Sequence, residues 1–123
     1  MTRAARSAIH VKRVYEAPGS DDGTRVLVDR IWPRGLSKER AALGLWLKAV
    51  APSSDLRRWY GHDPARFDEF ARRYKAELAT SERSDALKRL RELTSAGPVT
   101  LLTATGDAER SQAAVLAGVL EQT

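Results

Sequence analysis

Two periods run through this chain, one of two residues and one of about 3.6, and they divide it into strands and helices. Ile9 to Tyr15 alternates, Ile9, Val11, Arg13 and Tyr15 against His10, Lys12 and Val14, which predicts a strand near a sheet edge. Ala17 to Gly23 (Ala-Pro-Gly-Ser-Asp-Asp-Gly) is a loop by composition. Thr24 to Ile31 is the second strand. Its Val26-Leu27-Val28 run does not alternate, as in a strand covered on both faces.

The helical period takes over next. Ser37 can cap a helix that places Leu43, Trp46, Leu47 and Val50 on one face, weakened by Gly44 and ended by Ala51-Pro52. A short helix is expected from Asp55 to Tyr60, stopped by Gly61. Asp63-Pro64 is a start signal for a longer one striped by Phe67, Phe70, Ala71, Tyr74 and Leu78. A further helix covers Asp85 to Ala96, with Leu87, Leu90 and Leu93 inward and Gly97-Pro98 at its end. Val99 to Ala104 is the last strand, and Asp107 can cap a final helix burying Val115, Leu116, Val119 and Leu120.

The string β-β-α-α-α-α-β-α predicts an α/β fold, a small mostly parallel sheet of about three or four strands packed with about five helices. Residues 1–8 are expected to be a flexible basic N-terminus, and residues 9–123 a single domain. The strands at 24–31 and 98–104 are expected to be parallel neighbours joined by a helical crossover. Their carboxyl ends, Asp29 to Arg34 and Thr103 to Asp107, then meet where ligands bind in open α/β sheets.

Composition narrows the chemistry. The 123 residues contain no cysteine, which removes disulfides, thiolate nucleophiles and cysteine–zinc sites. No apolar run is long enough to span a membrane and no secretory signal is visible, so the expected location is cytoplasmic. The net charge is +5, carried by 16 arginines and 5 lysines. Such a balance favours a phosphate-bearing partner, although arginine on a solvated helix face needs no partner at all.

The sharpest break in pattern follows Val28. Asp29 and Arg30 place opposite charges at the end of a buried strand, and Trp32-Pro33-Arg34-Gly35 suits a β-turn with proline second and glycine fourth. Asp29 reads either as a general base or as a carboxylate tying strand to helix. Arg30 reads as an anion clamp or a buried pairing partner. Trp32 would form a flat wall, with Arg34, Gly35, Lys38 and the helix start near Ser37 holding an anion. Past the other strand, Thr103 and Asp107, with Thr105 and Gly106 between them, supply hydroxyls and amides.

The segment from Arg25 to Glu39 (Arg25-Val-Leu-Val-Asp-Arg-Ile-Trp-Pro-Arg-Gly-Leu-Ser-Lys-Glu39) resembles the YeaO-like proteins, bacterial proteins of domain of unknown function 488. The likeness continues through Trp46-Leu-Lys-Ala-Val-Ala-Pro-Ser53, Leu56-Arg-Arg-Trp-Tyr-Gly-His-Asp-Pro64 and Gly97-Pro-Val-Thr-Leu-Leu102. It implies a small cytoplasmic α/β domain and names no activity. It also implies a His/Asn-rich segment opening the last helix after Asp107. This chain has Glu109-Arg-Ser-Gln-Ala113 instead, so imidazole chemistry is not carried over there.

A second candidate cluster lies at 57–63. His62 can move a proton near neutrality, Arg57 and Arg58 can hold an anion, and Trp59 can wall the pocket. In the plainer reading His62 and Asp63 only cap helix ends. Two histidines 52 residues apart give no metal-ligand spacing, and neither a nucleophile elbow nor a phosphate loop is present. No cofactor is expected.

The reading these features support is a small anionic or phosphate-bearing ligand held in an arginine-lined pocket at the strand ends. Asp29 and His62 are the acid–base candidates should turnover occur. One alternative is a sequence-independent nucleic-acid binder or regulator accessory, using the basic tip and the arginines after Asp63. Residues 55–77 net only +1, however, and no nucleic-acid motif appears. Another is a protein-interaction module built on the Trp46 or Trp59 face.

Overall fold

Val26, Leu27, Val28, Val99, Leu101 and Leu102 are fully buried, and they form the centre of one sheet. In a computed structural model, residues 9–121 are described; the expected basic tip at 1–8 lies outside them. The strands are β1 (Ile9–Arg13), β2 (Thr24–Leu27), β3 (Leu45–Trp46) and β4 (Val99–Thr103). They are ordered β1-β4-β2-β3, and every pairing is parallel. The helices are α1 (Lys38–Ala41), α2 (Ser54–Tyr60), α3 (Phe67–Leu78), α4 (Ser81–Ala96) and α5 (Gln112–Glu121). This is the expected single-domain α/β fold, with β2 beside β4.

The strand period sorts the core into two layers. Val26, Val28, Val99 and Leu101 face a large cluster that includes Phe70, Tyr74 and Leu78 of α3, Leu90 of α4 and Leu116 of α5. Leu27 and Leu102 face a smaller one with Val14, Leu36 and Ala41, flanked by Trp32 and Trp46. Each such side chain contributes about 1.5–3 kcal/mol on burial. The polar exceptions are bonded: Thr100 donates to the Asp22 carbonyl at 2.8 Å, and Tyr74 donates to the Val50 carbonyl at 2.5 Å.

Below the sheet, Asp22 bridges Lys12 and Arg25, both at 2.6 Å, and Arg25 also donates to the Ala41 carbonyl. Gly23 stands where no side chain fits. It has φ +63, and a Cβ there would lie 2.1 Å from the Pro98 oxygen.

Five local expectations are corrected. The helix expected from Ser37 to Val50 is replaced by α1, β3 and a 3-10 turn at Lys48–Val50. Ser37 does cap α1, but Ala42 turns left-handed at φ 49 and ends it. Gly44 then lies against β2, donating to the Arg25 carbonyl at 2.8 Å. A glycine weak in a helix permits this approach, and ladder bonds outweigh helical ones.

The second strand stops at Leu27 rather than Ile31, and Ile31 is 67% exposed. The turn at 33–36 is shifted by one residue. Leu36 N–H meets the Pro33 carbonyl at 3.4 Å, so proline is first and Gly35, at φ +76, is third. This is the place where a turn of that kind calls for glycine. Asp107 does not cap the last helix; it precedes a 3-10 turn at Ala108–Arg110, and Ser111 Oγ accepts from Ala114 N–H at the start of α5. Finally, the fourth helix begins at Ser81 rather than Asp85.

Candidate functional site

The parallel pairing of β2 and β4 brings their carboxyl ends side by side, and Asp29 joins them. Its carboxylate accepts from Thr103 Oγ1 at 2.8 Å, from the Ala104 N–H at 2.8 Å and from Gln112 Nε2 at 2.5 Å. Three elements thus meet on one half-buried acid. Burial pushes its pKa up; those three donors and the charge of Arg57 pull the other way without cancelling it. Asp29 therefore bonds to structure and still faces open space.

That space is a cavity of about 570 Å³, of a size that takes a small organic molecule. Asp29, Arg30, Trp32, Arg34, Arg57, Arg58 and His62 all line it. Arg34 is exposed at the tip of the 33–36 turn. Trp32 is fixed as a wall, its indole N–H donating to the Leu36 carbonyl at 2.8 Å and its ring edge-on to Trp46 at 5.3 Å. Trp46 N–H in turn holds the Asp29 carbonyl at 2.8 Å.

The arginines differ in how they are held. Arg58 pairs with Asp55. Among the described residues Arg30, Arg34 and Arg57 form no ion pair. The Arg57 side chain reaches Ser54 Oγ at 3.2 Å, while its buried Nε has no partner. A buried donor left unpaired carries a desolvation cost of about 1–3 kcal/mol, which an incoming acceptor would remove.

Other expected residues sit elsewhere. Lys38 and Gly35 do not line the cavity, and α1, at four residues, presents no helix-start anion site. Trp59 faces away, stacked beneath the guanidinium groups of Arg66 at 5.2 Å and Arg73 at 4.3 Å. Thr103 acts through Asp29. Asp107 lines a smaller adjoining hollow with Asp29 and His62, and it pairs with Arg110 at 3.0 Å. His62 is exposed at φ 57, just past Gly61, which caps the end of α2.

Sequence reasoning missed Tyr60, Ser111 and Gln112. Tyr60 lines the cavity and donates to the Arg110 carbonyl at 2.7 Å. Ser111 and Gln112 reach it because the start of α5 falls at Ser111 rather than Asp107. The one available signal was the Glu109–Ala113 segment itself, where polar residues open a helix. Among the described residues no group of three His, Cys, Asp or Glu side chains is placed to hold a metal ion, and no helix is long and apolar enough to cross a membrane.

An all-parallel α/β domain with a cationic cavity at its strand ends is the class these features define. The chain belongs to the inactive DUF488-N3 subclade, which it matches over residues 8–123. It is 54% identical over 120 residues to uncharacterized proteins of Mycobacterium tuberculosis and Mycobacterium bovis, covering 98% of each chain. It is 39% identical over 109 residues to the uncharacterized protein YeaO of Escherichia coli, covering 89% of this chain and 93% of that one. The expected kinship with YeaO-like proteins therefore holds. No solved structure matches the chain.

Proposed function

We propose that this protein binds a small anionic ligand, a phosphate ester or carboxylate, in the arginine-lined cavity and does so without turning it over. The observation that carries the reading is the convergence of Arg30, Arg34 and Arg57 on one cavity with no carboxylate pairing any of them among the described residues. Asp29 is the carboxylate lining this cavity and offsets only part of that positive charge, so the cations repel one another and an anion among them relieves the repulsion. Planar guanidinium groups suit phosphate and carboxylate oxygens.

Binding is favoured over turnover on two grounds. Asp29 already accepts three hydrogen bonds, so its lone pairs are largely committed to the fold. The family to which the chain belongs is described as inactive. Should turnover occur, Asp29 and His62 are its acid–base candidates.

The nucleic-acid alternative draws less support. On and before α3, Arg66 pairs with Asp63, and Arg72 and Arg73 with Glu69, so that stripe is internally compensated. The tryptophans of the interaction-module alternative are likewise engaged, Trp46 by Asp29 and Trp32, Trp59 by Arg66 and Arg73.

The test is a low-salt thermal-shift panel of inorganic phosphate, phosphate esters, carboxylates and polynucleotides. A ligand specific to the folded form raises the melting temperature with concentration over its affinity. A saturable shift with a small anion, lost in Arg57→Leu, is expected. Shifts with polynucleotides alone, or none at all, would overturn the reading.

A further inference from the structure

The cavity does not end at Asp29. A second hollow of about 460 Å³ opens beside it, lined by Asp29, His62, Ala104, Thr105, Gly106 and Asp107. Four of these residues, Asp29, His62, Ala104 and Thr105, line both spaces. The two differ in character. The larger one carries the arginines, whereas the smaller has two carboxylates and no arginine or lysine.

An ion with oxygens on every side suits only the arginine-lined part of the first space. Beside Asp29 it would meet a carboxylate, and like charges at short range repel. What Asp29 accepts is a hydrogen-bond donor. Its Oδ1 takes two donors, from Thr103 and Gln112, and its Oδ2 takes one, from Ala104. A carboxylate offers about four lone-pair positions, so one on Oδ2 is open. With three donors and the field of Arg57 already compensating the charge, a neutral donor is sufficient.

The neighbours of that open position match a hydroxyl. The Thr105 hydroxyl has no partner among the described residues, although the Thr105 N–H is committed to Thr103 Oγ1 at 3.2 Å. His62 stands exposed at the boundary between the two spaces. A ligand hydroxyl can donate to Asp29 and accept from either group, which a plain ammonium cannot do.

We infer that the ligand is a sugar phosphate, its phosphate among Arg30, Arg34 and Arg57 and its hydroxyls against Asp29, His62 and Thr105. The inference rests on the anion-binding reading above and adds the body that the anion is attached to. Asp29 is then the residue that sets specificity, and the arginines supply attraction.

Isothermal titration at low salt with ribose 5-phosphate, inorganic phosphate and ribose tests this on the full chain, its Asp29→Asn variant and its His62→Gly variant. His62→Gly is the variant expected to fold without difficulty, because glycine accepts the positive φ that histidine holds at this position. Ribose 5-phosphate should bind at least about tenfold more tightly than inorganic phosphate, as expected for added hydrogen bonds to a charged group. Ribose alone should give no measurable heat. In both variants the ratio should fall toward one, with inorganic phosphate held as well as before or better.

Equal affinity for the two anions in the unaltered chain would overturn this inference and leave the anion site standing. So would a ratio that survives in His62→Gly and in any folded Asp29→Asn protein. Failure of both anions to bind would overturn the anion site together with the inference.

Discussion

Thr103 donates its hydroxyl to the Asp29 carboxylate at 2.8 Å across the two central strands, so the end of β4 positions the acid at the end of β2. A hydrogen bond to a charged group contributes about 1.5–3 kcal/mol. Thr103→Val keeps the shape and removes the donor. It should lower unfolding stability by about that amount in urea titration, with an unchanged slope against denaturant.

Arg34 offers the opposite case. Its side chain is exposed, and among the described residues the one hydrogen bond it anchors uses its carbonyl, which accepts from the Tyr15 hydroxyl at 3.3 Å. Arg34→Ala should therefore stay within about 0.5 kcal/mol of the unaltered stability while weakening anion binding in the thermal-shift panel. A loss of several kcal/mol would assign Arg34 a structural role.

Two glycines with positive φ should respond differently to alanine. At Gly35 no atom lies within 4 Å of the added Cβ, so only the backbone conformation is strained, at about 1–2 kcal/mol. At Gly23 the same strain is joined by a clash of the new Cβ with the Pro98 backbone carbonyl, which has no flexible side chain to move aside. Gly23→Ala should cost about 3 kcal/mol or more, read as a shift in the denaturation midpoint.

Acid should weaken the fold through Asp22. The Lys12 ammonium above all, helped by the Gly19 N–H and the Arg25 guanidinium, holds its pKa down at about 2 against the opposing pull of burial. A carboxylate with a depressed folded-state pKa contributes stability above its unfolded value of 3.8, and that contribution disappears as pH falls through about 2. Stability measured between pH 5 and pH 2 should decline, and in Asp22→Asn the decline should be shallower.

Asp29 has the reverse sign. Its folded-state pKa is raised, chiefly by burial, so ionisation disfavours the folded form. Below the unfolded value its acid is protonated in both states. As pH rises from there toward the folded value, this residue withdraws stability. Following the Asp29 carboxyl carbon by NMR titration should give a midpoint above 3.8, the ordinary value.

Much of this site could be read from residue order. The unalternating Val26-Leu27-Val28 run implied a doubly covered strand, and parallel pairing with residues 99–103 then required Asp29 and Thr103 to meet. The segment from Ser37 to Val50 misled because Leu43, Trp46, Leu47 and Val50 fit a helical face, whereas the sheet edge next to β2 is visible only in three dimensions. Trp59 misled for a related reason. Its neighbours Arg58 and Tyr60 line the cavity, while Trp59 turns toward arginines on and before α3. Gln112 was hidden by the start of α5, which slides from Asp107 to Ser111 and carries one side chain into the site.

The three bonds on Asp29 close over 74, 75 and 83 residues of chain. During synthesis, nothing made before β4 and the first turn of α5 can assemble the pocket. Assembly of the site is thus tied to long-range contacts rather than to any one element, and is complete only when β4 and the start of α5 have both docked at the end of β2.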